Sequence, residues 1–524
     1  MTRLTLVLVT CATPAAMVAA NCERLSSLAL PNTTITAKAI PAGSFTAPGG
    51  QTIPDLPACC QVHGITRPTE ASVIHFEVWL PASNWNGKFQ GVGNGGLAGT
   101  ISYGPMATSL RSGYATASTD TGHTPQEPKT WLENRERLID YSYRALHLTT
   151  VDAKAIAEAY YSQVPKYSYY LGCSTGGKQG LMEAQRFPAD YDGVVAGDAA
   201  NYWTRQMMNE VWDGLVTSSP ETNLSQEKLQ LVQDAVLEAC DALDGAKDGI
   251  ISDPMHCHFD PKKLQCKSDD TSSCLTAAQV GAVEKIYSGP VNPRTGQKLY
   301  PGLYPGGELG WGKAGGQMVI NRTATSGVSS NDFWSYALFN GAGLKKPDWQ
   351  FRNFDFDRDI ALADEKLAPI TNATDPNLEE FRKLGHKLLY YHGAADPLIP
   401  AQNGIDYYEG VVAAEQGLER TQGFFRAFLV PGLYHCAGGP GATAFGGSLP
   451  SPASQMDADH DLVSSVARWV EKGVAPDKII ATKYVDNSPT KGVAFQRPLC
   501  AYPQVAHYKG GDMNDASSFE CVKP

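Results

Sequence analysis

The hydrophobic positions of this chain follow two alternating rhythms. Apolar runs rich in β-branched and aromatic residues predict strands at "SVIHFEVWLP" (72–81), "KFQGVGNGG" (88–96, ending in a glycine loop), "YATASTD" (114–120), "YSYYLG" (167–172) and "YDGVVAGD" (191–198). Between them "YRALHLTTVDAKAIAEAYYS" (143–162) carries helical spacing, and a further helix is expected after Ser174. Strands alternating with helices through short links imply a parallel sheet covered on both faces. The rhythm stops from about 205 to 375, where Gly, Pro, Asn, Asp and Cys dominate. It resumes with "HKLLYYHGAADPLIP" (386–400), a helix near 402–416, the strand "FFRAFLVPG" (424–432) and a helix near 459–472. The chain thus reads as one α/β domain, 21–204 and 376–524, interrupted at 205–375 by an insertion. Long insertions of this kind commonly lie over an active site as lids.

The 524 residues are 42% hydrophobic and 19% charged, an ordinary globular balance that permits a large core. The formal charge of −11 argues against nucleic acid as a partner, because a phosphate binder needs a basic face. The first residues, "MTRLTLVLVTCATPAAMVAANC", combine an early Arg, an apolar run and the small residues Val18-Ala19-Ala20, which predicts a secretory signal at 1–20 cleaved near Ala20. Lipidation at Cys11 is the alternative, and it leaves too short an apolar core. No later run reaches the roughly 18 apolar residues of a membrane helix, so an exported protein without a membrane partner is expected. Twelve cysteines fit an oxidising compartment; without Cys11 eleven remain, so at least one cannot pair within the chain.

The candidate chemistry centres on "YLGCSTGG". Gly172-Cys173-Ser174-Thr175-Gly176 fits G-x-S-x-G, the turn between strand and helix that lifts a serine hydroxyl above the sheet. The helix N-terminus offers unpaired N–H groups, that of Thr175 among them, to a developing oxyanion. "GVGNGGLAG" (91–99) supplies the second donor through Gly95 or Gly96; it lacks the spacing and helix of a dinucleotide loop. A serine nucleophile needs a histidine base and an orienting carboxylate, which in this fold follow in the order serine, acid, histidine. Asp396 and His435 both lie just after predicted strands, in that order. Asp120 and His123 in "STDTGHT" are rivals, but both precede the serine and read as supporting residues. His75 and His147 read as packed or surface histidines, and His392 as a support for the Asp396 loop.

Together these segments resemble the tannase and feruloyl esterase family of secreted serine esterases. The resemblance spans nearly the whole mature chain and is carried by "FEVWLPASNWNGKFQGVGNGGLAG", "YYLGCSTGGKQGLMEAQRFPADYDGVVAG", "CDALDGAKDGIISDP", "YHGAADPLIP", "YHCAGG", "RWVEKGVAP" and "RPLCAYP". It implies an α/β-hydrolase fold with a large inserted lid domain. The family's Cys-Ser, Asp, His-Cys set falls on Cys173-Ser174, Asp396 and His435-Cys436, and implies a disulfide between Cys173 and Cys436. Such a bond brings its Cα atoms within roughly 4.4–6.8 Å, and the neighbouring Ser and His with them. The cysteine beside the serine is then a brace rather than a competing thiol. Further disulfides implied are Cys240–Cys257, Cys266–Cys274, Cys500–Cys521, and Cys22 with Cys59 or Cys60. On its own, "MHCHFD" (255–260) beside these cysteines could be mistaken for a zinc site.

"CDALDGAKDGII" (240–251) reads by composition as a solvated acidic loop, and it is not an EF-hand. The resemblance assigns it a structural Ca²⁺, held by the side chains of Asp241, Asp244 and Asp248 and the carbonyls of Ala246 and Ile250. Two departures from relatives stand out: Thr100 where some carry a further cysteine, and Asp198 where a small apolar residue is common. The function implied is hydrolysis of aromatic acyl esters, feruloyl or galloyl, with no organic cofactor. The substrate would be a small ester or an esterified polysaccharide or tannin. Alternatives are a related esterase for another aromatic ester such as a terephthalate half-ester, a non-catalytic polyphenol- or polysaccharide-binding protein, and a peptidase. Trp311, Trp334 and Tyr336 either stack on an aromatic substrate or pack the insertion's own core. Sequons at Asn32, Asn223, Asn321 and Asn372 matter only in a eukaryotic secretory pathway.

Overall fold

The computed structural model describes residues 21–97, 99–268, 272–312, 319, 331–341, 343–344, 346, 349–447 and 452–524. The expected leader at 1–20 with Cys11, and the Asn321 sequon, lie outside the described residues.

Nine strands form the central sheet: β1 (Thr33–Ile40), β2 (Cys59–Thr66), β3 (Ile74–Pro81), β4 (Lys88–Val92), β5 (Ala115–Thr119), β6 (Tyr167–Cys173), β7 (Gly193–Gly197), β8 (Lys387–Gly393) and β9 (Phe425–Val430). Their order across the sheet is β1-β2-β3-β5-β4-β6-β7-β8-β9. The pairs from β1 through β3 to β5 are antiparallel, and those from β5 onward are parallel. This is the parallel sheet expected from the alternation and the α/β-hydrolase arrangement implied by the resemblance, extended by an antiparallel edge. The crossovers are α1 (Tyr103–Arg111), α2 (Ala145–Tyr161), α3 (Thr175–Arg186) and α7 (Ala401–Ala414), and α8 (Leu462–Lys472) follows the last strand.

Buried residues on successive positions of the parallel strands go to opposite faces, as a two-residue period dictates. Tyr170, Val194 and Leu388 join the core on one face; Tyr169, Val195 and Leu389 join the core on the other, where Val466 and Trp469 of α8 cover them. Helix α8 begins where Asp461 accepts from Ser464 N at 2.7 Å and stops at Gly473, whose φ is 71°.

Between β7 and β8 the chain leaves the sheet and builds the insertion, with α4 (Trp203–Thr217), α5 (Gln226–Cys240) and α6 (Ala277–Ser288). It has two apolar clusters. One gathers Trp203, Met207, Phe333, Trp334 and Phe354 against Trp131, Leu138 and Tyr141 of the catalytic domain; the other gathers Val232, Val236, Val283 and Trp311. Trp311 and Trp334 are therefore core residues of the insertion, with the Trp334 indole donating to Met207 O at 3.2 Å. No helix among the described residues is long and apolar enough to cross a membrane.

Candidate active site

Ser174 ends the turn between β6 and α3 with φ 65° and ψ −121°, a strained conformation for a residue with a side chain. Glycines make the turn possible. A Cβ on Gly172 would lie 2.5 Å from Gly176 O, one on Gly176 would lie 2.9 Å from Asn94 O, and one on Gly177 would collide with Gly197 O.

His435 hangs in the loop after β9, with Nε2 2.9 Å from Ser174 Oγ and Nδ1 2.7 Å from Asp396 Oδ2. A carboxylate only accepts, so Nδ1–H donates to it and Nε2 faces the serine hydroxyl with its lone pair. Asp396 is fixed in turn by its own loop: Oδ1 accepts from Leu398 N at 2.8 Å and Ile399 N at 3.0 Å. Burial opposes ionisation of Asp396, but His435 and His392 outweigh it and hold the carboxyl well below the usual carboxylate range.

The rivals lie elsewhere. Asp120 accepts from His75 N and Gly122 N at 2.9 and 2.8 Å. His123 donates to Leu97 O at 2.6 Å and stacks on Trp131 at 4.0 Å, bracing the glycine loop. His392 supports the acid loop, donating through Nε2 to Ile399 O at 2.9 Å. His75 contacts His63, and His147 contacts Asp190.

The glycine loop lies against the start of α3. Gly96 O accepts from Thr175 Oγ1 at 2.9 Å and from Tyr141 OH at 2.8 Å. Asn94 pins its other end, bonding Gln179 through its backbone and Thr100 O and Thr119 O through its amide. Gly96, with Gly95 beside it in the chain, is thereby brought against Thr175. Tyr141, Asn94 and Gln179 had no signal in the sequence. A fourth such residue, Lys178 of α3, is buried with its Nζ 4.6 and 4.4 Å from the ring centres of Tyr141 and Trp203.

Cys173 and Cys436 are bonded, with Cα atoms 6.0 Å apart, across 263 positions of sequence. The bond joins the serine turn to the histidine loop one residue from each partner. Four more disulfides are present: Cys240–Cys257, Cys266–Cys274, Cys500–Cys521 and Cys22–Cys60. Cys59 is the buried free thiol among the described residues, pushed up to about 12 by burial and then by Glu77.

Residues 60–522 match the family described as "Tannase and feruloyl esterase". The chain belongs to that family. Its members are carboxylic ester hydrolases, and this one is therefore an ester hydrolase of the α/β-hydrolase fold. It is 39% identical to an uncharacterized esterase of Xanthomonas campestris pv. campestris over 97% of this chain and 92% of the relative. It is 36% identical to "Probable feruloyl esterase B-2" of Aspergillus flavus over 84% and 83% of the two chains. Among solved structures, feruloyl esterase B from Aspergillus oryzae superposes with a TM-score of 0.88 at 32% identity, covering 96% of this chain and 100% of that one. Tannin acyl hydrolase from Aspergillus niger shares the fold, with a TM-score of 0.74 at 21% identity over 97% and 95% of the chains.

In this family member the acidic loop after α5 turns around Asp241, whose Oδ1 accepts from the backbone N of Asp248, Gly249 and Ile250 at 3.3, 3.0 and 3.2 Å. Asp248 Oδ2 pairs with Arg497 at 2.5 Å. Among the described residues Asp244 Oδ2 is buried without a hydrogen-bond partner, while Oδ1 accepts from Ala246 N at 2.9 Å. Burial pushes the Asp244 carboxyl up, and the charges of Asp248 and Asp241 add to it. A buried carboxylate oxygen next to the charges of Asp241 and Asp248 is one that a hard cation would satisfy, but among the described residues the three carboxylates do not bring three ligand oxygens within 4.8 Å of one another, and Asp248 is already paired with Arg497.

Proposed function

We propose that this protein is a secreted esterase of aromatic acyl esters, feruloyl or related hydroxycinnamoyl esters or galloyl esters of plant material, working through Ser174, His435 and Asp396. The observation that carries the reading is the Ser174 Oγ–His435 Nε2–Asp396 alignment at 2.9 and 2.7 Å on a strained turn. His435 takes the hydroxyl proton as Oγ attacks the ester carbonyl carbon. The N–H groups of Thr175 and Gly95 or Gly96 stabilise the tetrahedral oxyanion. His435 then returns the proton to the departing alcohol oxygen. Water, deprotonated by His435, attacks the acyl-enzyme and releases the acid and Ser174. Asp396 holds the imidazole tautomer throughout. The aromatic acyl preference rests on the named relatives, and export on the five disulfides and the expected leader. A Ca²⁺ held by Asp241, Asp244, Asp248, Ala246 and Ile250 would stiffen the insertion, the likeness to the family being its main support.

The test is hydrolysis of methyl ferulate, methyl gallate, an aliphatic ester and a terephthalate half-ester, each with wild type and Ser174→Ala. Cleavage of methyl ferulate or methyl gallate, falling by about 10⁴-fold or more in Ser174→Ala, is expected. Preference for the half-ester would move the substrate class, and no cleavage of any of the four would sink the reading.

A further inference from the structure

At the end of β7, directly under the triad, lies Asp198, a buried carboxylate that the catalytic reading does not use. Its side chain is fully buried, and its backbone φ of 38° is strained for a non-glycine residue. The neighbours that hold it there are specific. Asp198 Oδ1 accepts from Gly393 N at 2.6 Å, at the end of β8 and three residues before Asp396. Oδ2 accepts from Cys436 N at 2.8 Å, one residue after His435, and lies 3.2 Å from the sulfur of Cys173. The backbone N of Asp198 donates to Tyr391 O at 2.9 Å, closing the connection on β8. One carboxylate thus accepts from both loops that flank the serine, and it does so where the two backbones already touch: a Cβ on Gly393 would lie 2.5 Å from Leu433 O.

We propose that Asp198 is a positioning residue for ester hydrolysis: its carboxylate fixes the Asp396 strand end against the His435 loop and places a second negative charge behind the imidazole. The proposal rests on the triad reading above. It adds a polar clamp to the covalent one, since the disulfide fastens the His435 loop to β6 while Asp198 fastens it to β7 and β8. Cys436 itself sits at φ 60°, so this segment of loop is strained and needs holding from more than one side. The titratable groups facing Asp198 are Tyr390 and His392 of β8, Asp396 beyond it, and His435; the Asp396 charge in turn acts on Tyr300 of the insertion. The His392 ring lies between the two carboxylates, with Nε2 3.9 Å from Asp198 and 3.5 Å from Asp396. Burial and then Asp396 raise Asp198 to about 6 against the pull of His392, His435 and the Gly393 N–H, and both its oxygens accept backbone N–H groups as a carboxylate does.

The experiment compares Asp198→Asn and Asp198→Ala with wild type and Ser174→Ala, on whichever ester of the panel the wild type cleaves. Asn keeps the shape but turns an amide N–H toward one of the two backbone donors; Ala removes the clamp. The expected result is a kcat lower by about 10- to 100-fold with KM within about twofold, as small misplacements of a reacting group produce. The acidic limb of the kcat profile should also move to lower pH by about one unit, because a lost carboxylate makes the imidazole easier to deprotonate. Circular dichroism checks folding, and the isosteric Asn variant is read if the Ala variant does not accumulate. A kcat within twofold of wild type, or a lowered kcat with an unmoved acidic limb, overturns the proposal while leaving the triad intact. A wild type no more active than Ser174→Ala overturns the triad reading and this proposal with it.

Discussion

Asp396 presents its two oxygens to different tasks, and a single substitution separates them. Oδ1 accepts two loop N–H groups, while Oδ2 receives His435 Nδ1–H. Asn at this position keeps the first function with its own oxygen and turns an NH₂ toward the imidazole. His435 would then present the wrong tautomer to Ser174. Asp396→Asn is expected to lower kcat by about 10⁴-fold with little effect on stability, read by steady-state kinetics beside thermal unfolding. A loss below tenfold would mean that Asp198 or another group serves as the acid. That Ser174, Asp396 and His435 would come together was legible because each sits in a short local context: a glycine-flanked turn, or a loop directly after an apolar strand. Asp198 was visible only as an oddity, because its partners lie 195 and 238 positions away. Cys59 and Cys60 were indistinguishable for a different reason. Adjacent strand residues face opposite sides, and only packing shows that Cys22 lies with Cys60 while Cys59 lies with Trp79 and Met106.

Helix α3 does more than present Ser174, since its fourth residue onward from the serine is Lys178, an ammonium enclosed by Tyr141 and Trp203. Among the described residues its Nζ has no hydrogen-bond partner, and burial lowers its pKa to about 7. The rings return part of the desolvation cost through their negative faces. In the unfolded chain this lysine keeps an ordinary value near 10.4, so the unfolded state binds more protons between roughly pH 7 and 10. Stability contributed at this position is therefore lowest below pH 7 and rises as pH rises toward 10. Lys178→Met should be more stable than wild type near pH 6, by an advantage that shrinks toward pH 10; urea unfolding at several pH values reads it. An advantage that does not change with pH would show that the rings hold the charge without penalty. The helix itself was expected after the glycine-flanked turn at Ser174, but the aromatic enclosure was not. Tyr141 lies in a one-turn π segment, Asp140–Arg144, before α2, and Trp203 opens the insertion.

At the scale of the molecule, the question is what binds the insertion to the domain it interrupts. The break in the strand–helix rhythm falls between β7 and β8, yet nothing in that pattern indicated the attachments of this segment, which run through side chains distant in sequence. The acidic loop after α5 meets the C-terminal segment there. Arg497 pairs with Asp248, and Ala246 packs with Cys500, Ala506 and Phe519 beside the Cys500–Cys521 bond. A cation bound by Asp241, Asp244 and Asp248 would relieve the carboxylate repulsion at this junction, and would stabilise the folded chain in proportion to its saturation. At a hundredfold excess over Kd the gain is about 2.7 kcal/mol. Adding Ca²⁺ to chelator-treated protein should therefore raise Tm by a few degrees, with hydrogen exchange slowing in 241–251 and in 493–522. Asp244→Asn should lose both responses while keeping the same fold. A calcium-independent Tm in the wild type would assign the junction to Arg497 and the disulfide alone.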